Sequence, residues 1–308
     1  MKSAEKLQGK KAGLSWKVKD WIAAYIFIAP VTIGLMVFYI WPFIQNFWFS
    51  FNDVNKFNVT HFIGLDNYRQ MLSDKEVFQS FGNTLKYVVV TVPVGLFLSL
   101  VIAALLNAKI KGKSIYRTLY FLPSVTMAAA VAMVWKWVFN EKMGILNAVI
   151  TSFGGPRIGW LTNSKTAIFV VMLVGLWMTV GYNMIILLAG MQGISKTYYE
   201  AAAIDGCPPG KCFWQIMLPM AQPGIITVSI FNFINVWNEY FISLIFGNSD
   251  QVRSVAVGLY SMINSMKYTG DWAGMFASVI IVFLPTFVLY LFLSERIIAG
   301  VTGGGVKG

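Results

Sequence analysis

A chain of 308 residues with 57% hydrophobic and only 12% charged residues carries too little polar surface to cover a core in water, so a soluble domain is excluded and an integral membrane protein remains. The formal net charge of +11 does not point to nucleic acid: the basic residues fall in short segments between apolar runs, not in a patch interleaved with stacking aromatics, and anionic lipid headgroups are the matching counterions. Cys207 and Cys212, with the distant His61, make no four-ligand zinc set; they read as free cytosolic thiols, and no metal site is expected.

Residues 1–20 form a basic tail that holds Lys2, Lys6, Lys10, Lys11, Lys17 and Lys19. Span one runs from about Trp21 to Trp41; it is too long for a signal-peptide core and no small-x-small cleavage site follows it, so it is expected to stay as a membrane helix. Residues 42–83 read as a polar outer segment, containing F-I-G-L-D-N-Y (62–68) and a solvated His61. Span two covers about Thr84 to Leu106, followed by the acid-free, basic N-A-K-I-K-G-K-S-I-Y-R. Span three covers Leu119 to Phe139 and opens on F-L-P; residues 140–165 form a connector without enough periodicity to assign an element. Span four covers Thr166 to Gly190, span five Met220 to Phe246, and span six Ala273 to Leu293, with a polar loop at 247–272 and a glycine-rich tail that is flexible by composition. The organisation is thus a tail (1–20), a first helix with outer loop (21–79), a core (80–296) holding the loop 191–219, and a second tail (297–308).

Between spans four and five lies the most ordered polar stretch, Tyr198 to Pro223. Tyr199, Ala202 and Ala203 recur at helical spacing, Gly206, Pro208, Pro209 and Gly210 break the run, and a second apolar pattern from Phe213 to Leu218 ends at Pro219. Two short helices at an angle, lying beside the membrane, are predicted. Lys and Arg favour one side: the N-terminal tail and the Lys109, Lys111, Lys113, Arg117 loop are basic and short, which places both termini and the Glu200 loop in the cytoplasm. Glu200, near the start of its helix, would be favoured by the helix dipole, and Gly206 allows a sharp turn, as an ordinary helix-terminal glycine also would.

Polar residues inside spans are costly, about 2.5 to 3.5 kcal/mol for a charge at mid-membrane, so each demands a partner or a watery cavity. Asn232, Asn235, Asn238 and Glu239 read as one helical face; together with Trp237 or Tyr240 as a flat platform, they suit a sugar pathway, or else polar contacts between helices. Trp177, Thr179, Tyr182, Asn183 and Gln192 offer a second candidate wall under the same two readings, while Gly175, Gly181 and Gly190 read as sites of close helix approach. No G-x-x-x-x-G-K-[ST] loop, H-E-x-x-H or nucleophile elbow is present, so no catalytic residue is assigned.

The order Glu200-Ala201-Ala202, Asp205-Gly206 and Ile216-x-Leu218-Pro219 resembles the EAA loop of binding-protein-dependent ABC transporter permeases. The words I-A-P, W-P-F and G-L-D-N-Y near the N-terminus, and the G-V-T-G-G-G-V-K-G ending, are similar to maltose-permease-like, carbohydrate-uptake members. The resemblance implies an all-α permease of the type I importer fold with six transmembrane helices in the cell membrane. It also implies that Glu200, Ala201, Ala202, Asp205, Gly206, Ile216, Leu218 and Pro219 couple to ATP-binding cassette subunits. The implied partners are a second homologous permease, two such ATPases that bind the ATP and Mg, an extracytoplasmic sugar-binding protein and membrane lipid, and the chain itself needs no cofactor. The alternatives are a permease for a polyol or glycerol phosphate, disfavoured by the lack of Lys or Arg at span centres, and a proton-coupled secondary transporter, which would use Glu239 but leave the loop unexplained.

Overall fold

The computed structural model describes residues 16–55, 58–108, 110–247, 252–269 and 272–303; most of the basic tail and the last residues of the chain lie outside that range. Among the described residues, five helices are long and apolar enough to cross a membrane, and one bent pair makes a sixth crossing.

The first apolar helix is longer than its sequence-predicted span. Helix α1 (Trp16–Leu35) passes through a π-helical turn (Met36–Ile40) into α2 (Trp41–Phe49), giving 34 continuous residues. Trp41 does not end it because its N–H reaches back to the Met36 carbonyl, and this widened turn lies directly before Pro42, whose ring would otherwise strike the preceding turn. None of the side chains of α1 is buried. The helix is held at its C-terminal end: the Asn46 side chain donates to the Phe276 carbonyl at 3.3 Å, and Phe43 meets Phe283 edge-on at 5.2 Å.

The outer segment is a small folded lobe. A hairpin of β1 (Asn52–Asn55) and β2 (Asn58–Phe62) is followed by α3 (Asp66–Ser73), so among the described residues the fold is helical except for this one ribbon. Buried Asn67, from the G-L-D-N-Y word, donates to the carbonyls of Ser50 and Asn52 at 2.9 and 3.0 Å, and the Ser50 and Tyr68 hydroxyls share a hydrogen bond. That word therefore ties α3 to the end of α2. His61 lies on β2, with Nδ1 4.0 Å from the Asp53 carboxylate.

Two long helices form the centre. Asp74 caps α4 (Lys75–Asn107) by accepting the Glu76 N–H at 2.8 Å, and Asn163 caps α8 (Ser164–Gln192) by accepting the Lys165 N–H at 3.0 Å. They pack along each other, with Val88, Val170, Val171 and Val174 in an outer core and Ala103, Met184, Leu187 and Met191 in an inner one. Glycine permits this closeness at two of the three expected positions. A Cβ on Gly175 would lie 2.1 Å from the Tyr87 hydroxyl, and one on Gly181 only 1.7 Å from the Tyr120 carbonyl, whereas nothing approaches Gly190.

The third crossing is broken. Helices α5 (Lys113–Val125) and α6 (Ala128–Val138) meet at 95°, around extended Thr126, instead of forming one helix over 119–139. The Ser124 and Thr126 hydroxyls accommodate the break by donating to the Phe121 and Leu122 carbonyls at 2.7 and 2.8 Å. The connector then contains α7 (Ile145–Ser152), folded over buried Asn147. The Asn147 amide donates to the Glu141 and Ile158 carbonyls, while its oxygen accepts from the Ile158 N–H and the Trp160 indole.

After the loop at 191–219, α11 (Leu218–Trp237) ends where span five was expected to continue, and α12 (Phe241–Phe246) follows a short break. The loop at 247–272 is largely helical, as α13 (Val255–Thr269). The last helix, α14 (Trp272–Gly303), runs well into the tail that its glycines marked as flexible, since each glycine costs a helix only about 1 kcal/mol.

Candidate coupling surface and solute pathway

The stretch between α8 and α11 has a back that anchors and a front that is bare. Ser195 caps α9 (Lys196–Ile204) by accepting the Thr197 N–H at 3.4 Å. At its other end, the Gly206 N–H bonds to the Ala203 carbonyl at 3.1 Å and the Cys207 N–H to the Ala202 carbonyl at 2.9 Å. With Gly206 at φ +67°, this is the paired closure that a left-handed residue makes possible at a helix end. The chain then turns into α10 (Pro209–Cys212).

Ala202 is buried and Tyr199 half-buried on the inner face, while Ala203 is exposed, so the apolar face expected from spacing is narrower than predicted. The Tyr199 hydroxyl is buried without a hydrogen-bond partner among the described residues. Burial first, and the Cys212 thiol second, push that phenol above its ordinary pKa. Phe213 and Met217 pack onto the inner core.

The second short helix does not end at Pro219. A π-helical turn (Phe213–Met217) runs straight into α11, with the Leu218 N–H bonded to the Phe213 carbonyl and Pro219 in the first turn. This is the same widened turn before proline as at Pro42, and it converts a stop signal into a continuous helix. Half-buried Ile216 and Leu218 belong to this anchoring helix.

The front presents Tyr198, Glu200, Ala201, Ile204 and Asp205, all exposed, with Ile204 at 86%. Trp214 stands exposed nearby in sequence. Ile204 was not singled out from sequence, its only signal being an apolar residue at the start of a polar turn, and Trp214 was read only as part of the apolar pattern from Phe213 to Leu218. Glu200 is the fifth residue of α9 and no acid lies in the first turn, so the helix dipole does not account for it. Among the described residues it makes no ion pair.

The predicted four-residue polar face of span five is divided. Asn235 is exposed with Phe231 on α11, and exposed Asn238 caps the helix end with its amide donating back to the Ile234 carbonyl at 2.8 Å, whereas Asn232 is only 5% exposed and turns into the bundle. Successive steps of three residues rotate about 60° around the axis, which carries Asn232 off the face. Glu239 is not on it at all. In the break after α11 its carboxylate accepts from the Ile242 N–H at 2.6 Å, the Ser243 N–H at 3.0 Å and the Ser243 hydroxyl at 2.6 Å, and so holds the start of α12. Trp237 offers no open platform: it is 4% exposed, stacks on Phe233 at 5.8 Å and donates its indole N–H to the Val282 carbonyl at 3.1 Å.

On α8, Tyr182 is exposed, and exposed Trp177 leans edge-on against Trp135 at 5.5 Å. Thr179 bonds back to the Gly175 carbonyl. Asn183 faces inward, 3% exposed, with an amide nitrogen that has no partner among the described residues. The open polar and aromatic groups of α8 and α11 are therefore Trp177, Tyr182, Phe231, Asn235 and Asn238, on helices that pack against each other.

The family described as "Binding-protein-dependent transport system inner membrane component" matches residues 91–301, a stretch that includes the coupling loop and the paired helices. The chain belongs to this family. It is a permease subunit of an ABC importer and a multi-pass membrane protein. The permease is 35% identical over 232 residues to the probable ABC transporter permease protein YesP of Bacillus subtilis, covering 73% of this chain and 74% of that one. It is 32% identical over 220 residues to the sn-glycerol-3-phosphate transport system permease protein UgpA of Escherichia coli O157:H7, covering 70% and 74%. Among solved structures, a chain of a bacterial alginate ABC transporter, crystallised with an alginate pentasaccharide-bound periplasmic protein, has the same fold. Its TM-score is 0.78 at 20% identity, over 92% of this permease and 97% of that chain.

Proposed function

We propose that this permease carries a sugar or oligosaccharide inward, delivered by an extracytoplasmic binding protein and driven by ATP hydrolysed on separate cassette subunits. The observation that carries the reading is the bare front of α9. An exposed isoleucine, tyrosine and glutamate stand on a helix whose back is anchored, which is the anatomy of a surface awaiting a partner. The ATP and Mg belong to that partner; the loop's task is to pass its movement to α8 and α11, between which α9 is strung. With the loop cytoplasmic, both termini are cytoplasmic too.

A second permease is the natural cover for α1, an apolar helix that buries none of its own side chains in this chain. The solute would pass along the face with Tyr182, Phe231, Asn235 and Asn238, where amides meet hydroxyls and aromatic rings meet a pyranose. Tests in proteoliposomes with the partner subunits separate the parts. Glu200→Ala and Gly206→Asp are expected to abolish ATP-driven uptake while leaving insertion intact; wild-type uptake rates would contradict the coupling role. Asn235→Ala with Asn238→Ala is expected to raise the KM for labelled sugar severalfold.

A glycerol phosphate substrate is the second reading, favoured by the similarity to UgpA. It predicts uptake of the labelled phosphate ester in preference to sugars. The open face of α8 and α11 carries Asn, Tyr, Trp and Phe and no guanidinium, which supports the neutral solute. Uptake that survives ATP depletion and collapses with the proton gradient would point instead to a secondary transporter.

A further inference from the structure

Helix α7, in the connector between the third and fourth crossings, turns its polar side inward and its apolar side out. Asn147 is buried and held by four hydrogen bonds, and Leu146 and Ile150 are half-buried with it. The opposite face consists of Ile145, Ala148, Val149 and Ser152, all exposed and at helical spacing, and Phe153 follows at 87%. We propose that this face is seated in the phospholipid boundary of the membrane, with lipid phosphates on the basic residues that flank the helix.

Position is the first argument for lipid as the cover. The chain leaves one membrane helix at Val138 and enters the next at Ser164, so the connector between them lies at an edge of the bilayer. With eight residues, α7 is far short of the roughly 20 that a crossing needs, and a short helix with one apolar face lies along such an edge.

Continuity is the second. Helix α6, which completes the third crossing, exposes Met133, Val134 and Trp137, and the exposed apolar residues continue along the chain through Met143 to Ile145 and Val149. The Phe153 ring is as bare as those of Phe27 and Phe292, which stand on the crossing helices α1 and α14. Such a face is unfavourable against water and at home against acyl chains.

Charge is the third. From Lys136 to Lys165 the chain carries Lys136, Lys142, Arg157 and Lys165 against the single acid Glu141. All four basic residues are exposed, and none makes an ion pair among the described residues. Cations beside a bare apolar face match a phosphate layer above acyl chains, and exposed Trp137 is the side chain that favours that layer.

The test is photo-crosslinking in native membranes with the full chain carrying Phe153→p-benzoylphenylalanine, read as the intact mass of the labelled chain. The expected product carries one phospholipid. Anionic phospholipids should be enriched roughly fivefold over their share of the membrane, the factor that one basic residue contributes at an anionic surface. Lys142→Gln with Arg157→Gln is expected to remove that enrichment at an unchanged melting temperature, because both side chains are exposed. An adduct with another protein subunit would overturn the proposal. So would an enrichment that survives the double variant, or a chain left unlabelled while the same probe at Phe292 takes up lipid.

Discussion

Glu200 and Glu239 each sit near a helix break, one on the turn between α8 and α11 and one just after α11, and they have opposite fates. Glu239 turns inward and takes three donors of its own chain. Glu200 turns outward and, among the described residues, takes none. The same contrast separates the two regions around them. At the end of the bundle that holds Glu239, Asn67, Asn147, Thr84 and Ser254 hold neighbouring backbone groups and act as struts. On the turn around Glu200, polar and apolar groups alike are left bare. A polar residue in a membrane protein is costly enough to need an explanation, but most explanations here are local bonds, and the informative residues are those that lack one.

The largest effect is expected from forcing apart the frame that both regions share. Gly181→Val would drive a side chain into the Tyr120 carbonyl and should cost about 3 kcal/mol or more, read as loss of the monodisperse peak on purification. Glu239→Ala comes next, removing a charged acceptor from three donors at a cost of about 1.5 to 3 kcal/mol, seen as a lower melting temperature in detergent. Gly206→Ala should cost about 1 to 2 kcal/mol locally, because a Cβ disfavours the left-handed turn, and Gly206→Asn should cost less. Glu200→Ala should move the melting temperature by no more than about 0.5 kcal/mol allows, yet uncouple transport. Should Glu239→Ala melt like the wild type, or Glu200→Ala unfold, the division between strut and surface would fail.

The crossings were legible because apolar length is a direct reading of bilayer thickness, and the coupling turn because Gly206 and Pro208–Pro209 punctuate it strongly. What the residues could not reveal was which way polar groups face. Asn232 and Asn235 differ only by a partial rotation of one helix, and the packing of α4 and α14 around α11 decides which is buried. Asn147 meets Ile158 and Trp160 across a loop with no periodic signal. Proline was read as a stop at Trp41–Pro42 and at Pro219, and in both places a π turn carried the helix through. Helix α7 was missed because its eight residues are too short to show a helical period, and α13 because the whole stretch 247–272 was read as one polar loop although Val255–Ser265 is apolar.

The central claim is that the front of α9 is the seat of the ATPase. The most direct measurement is co-purification from native membranes in mild detergent, comparing the wild type with Ile204→Asp, which changes the barest residue of that face. The account predicts that wild type brings down an ATP-hydrolysing subunit and a second permease, and that Ile204→Asp keeps the permease and loses the ATPase. An ATPase recovered at wild-type yield with Ile204→Asp would contradict it.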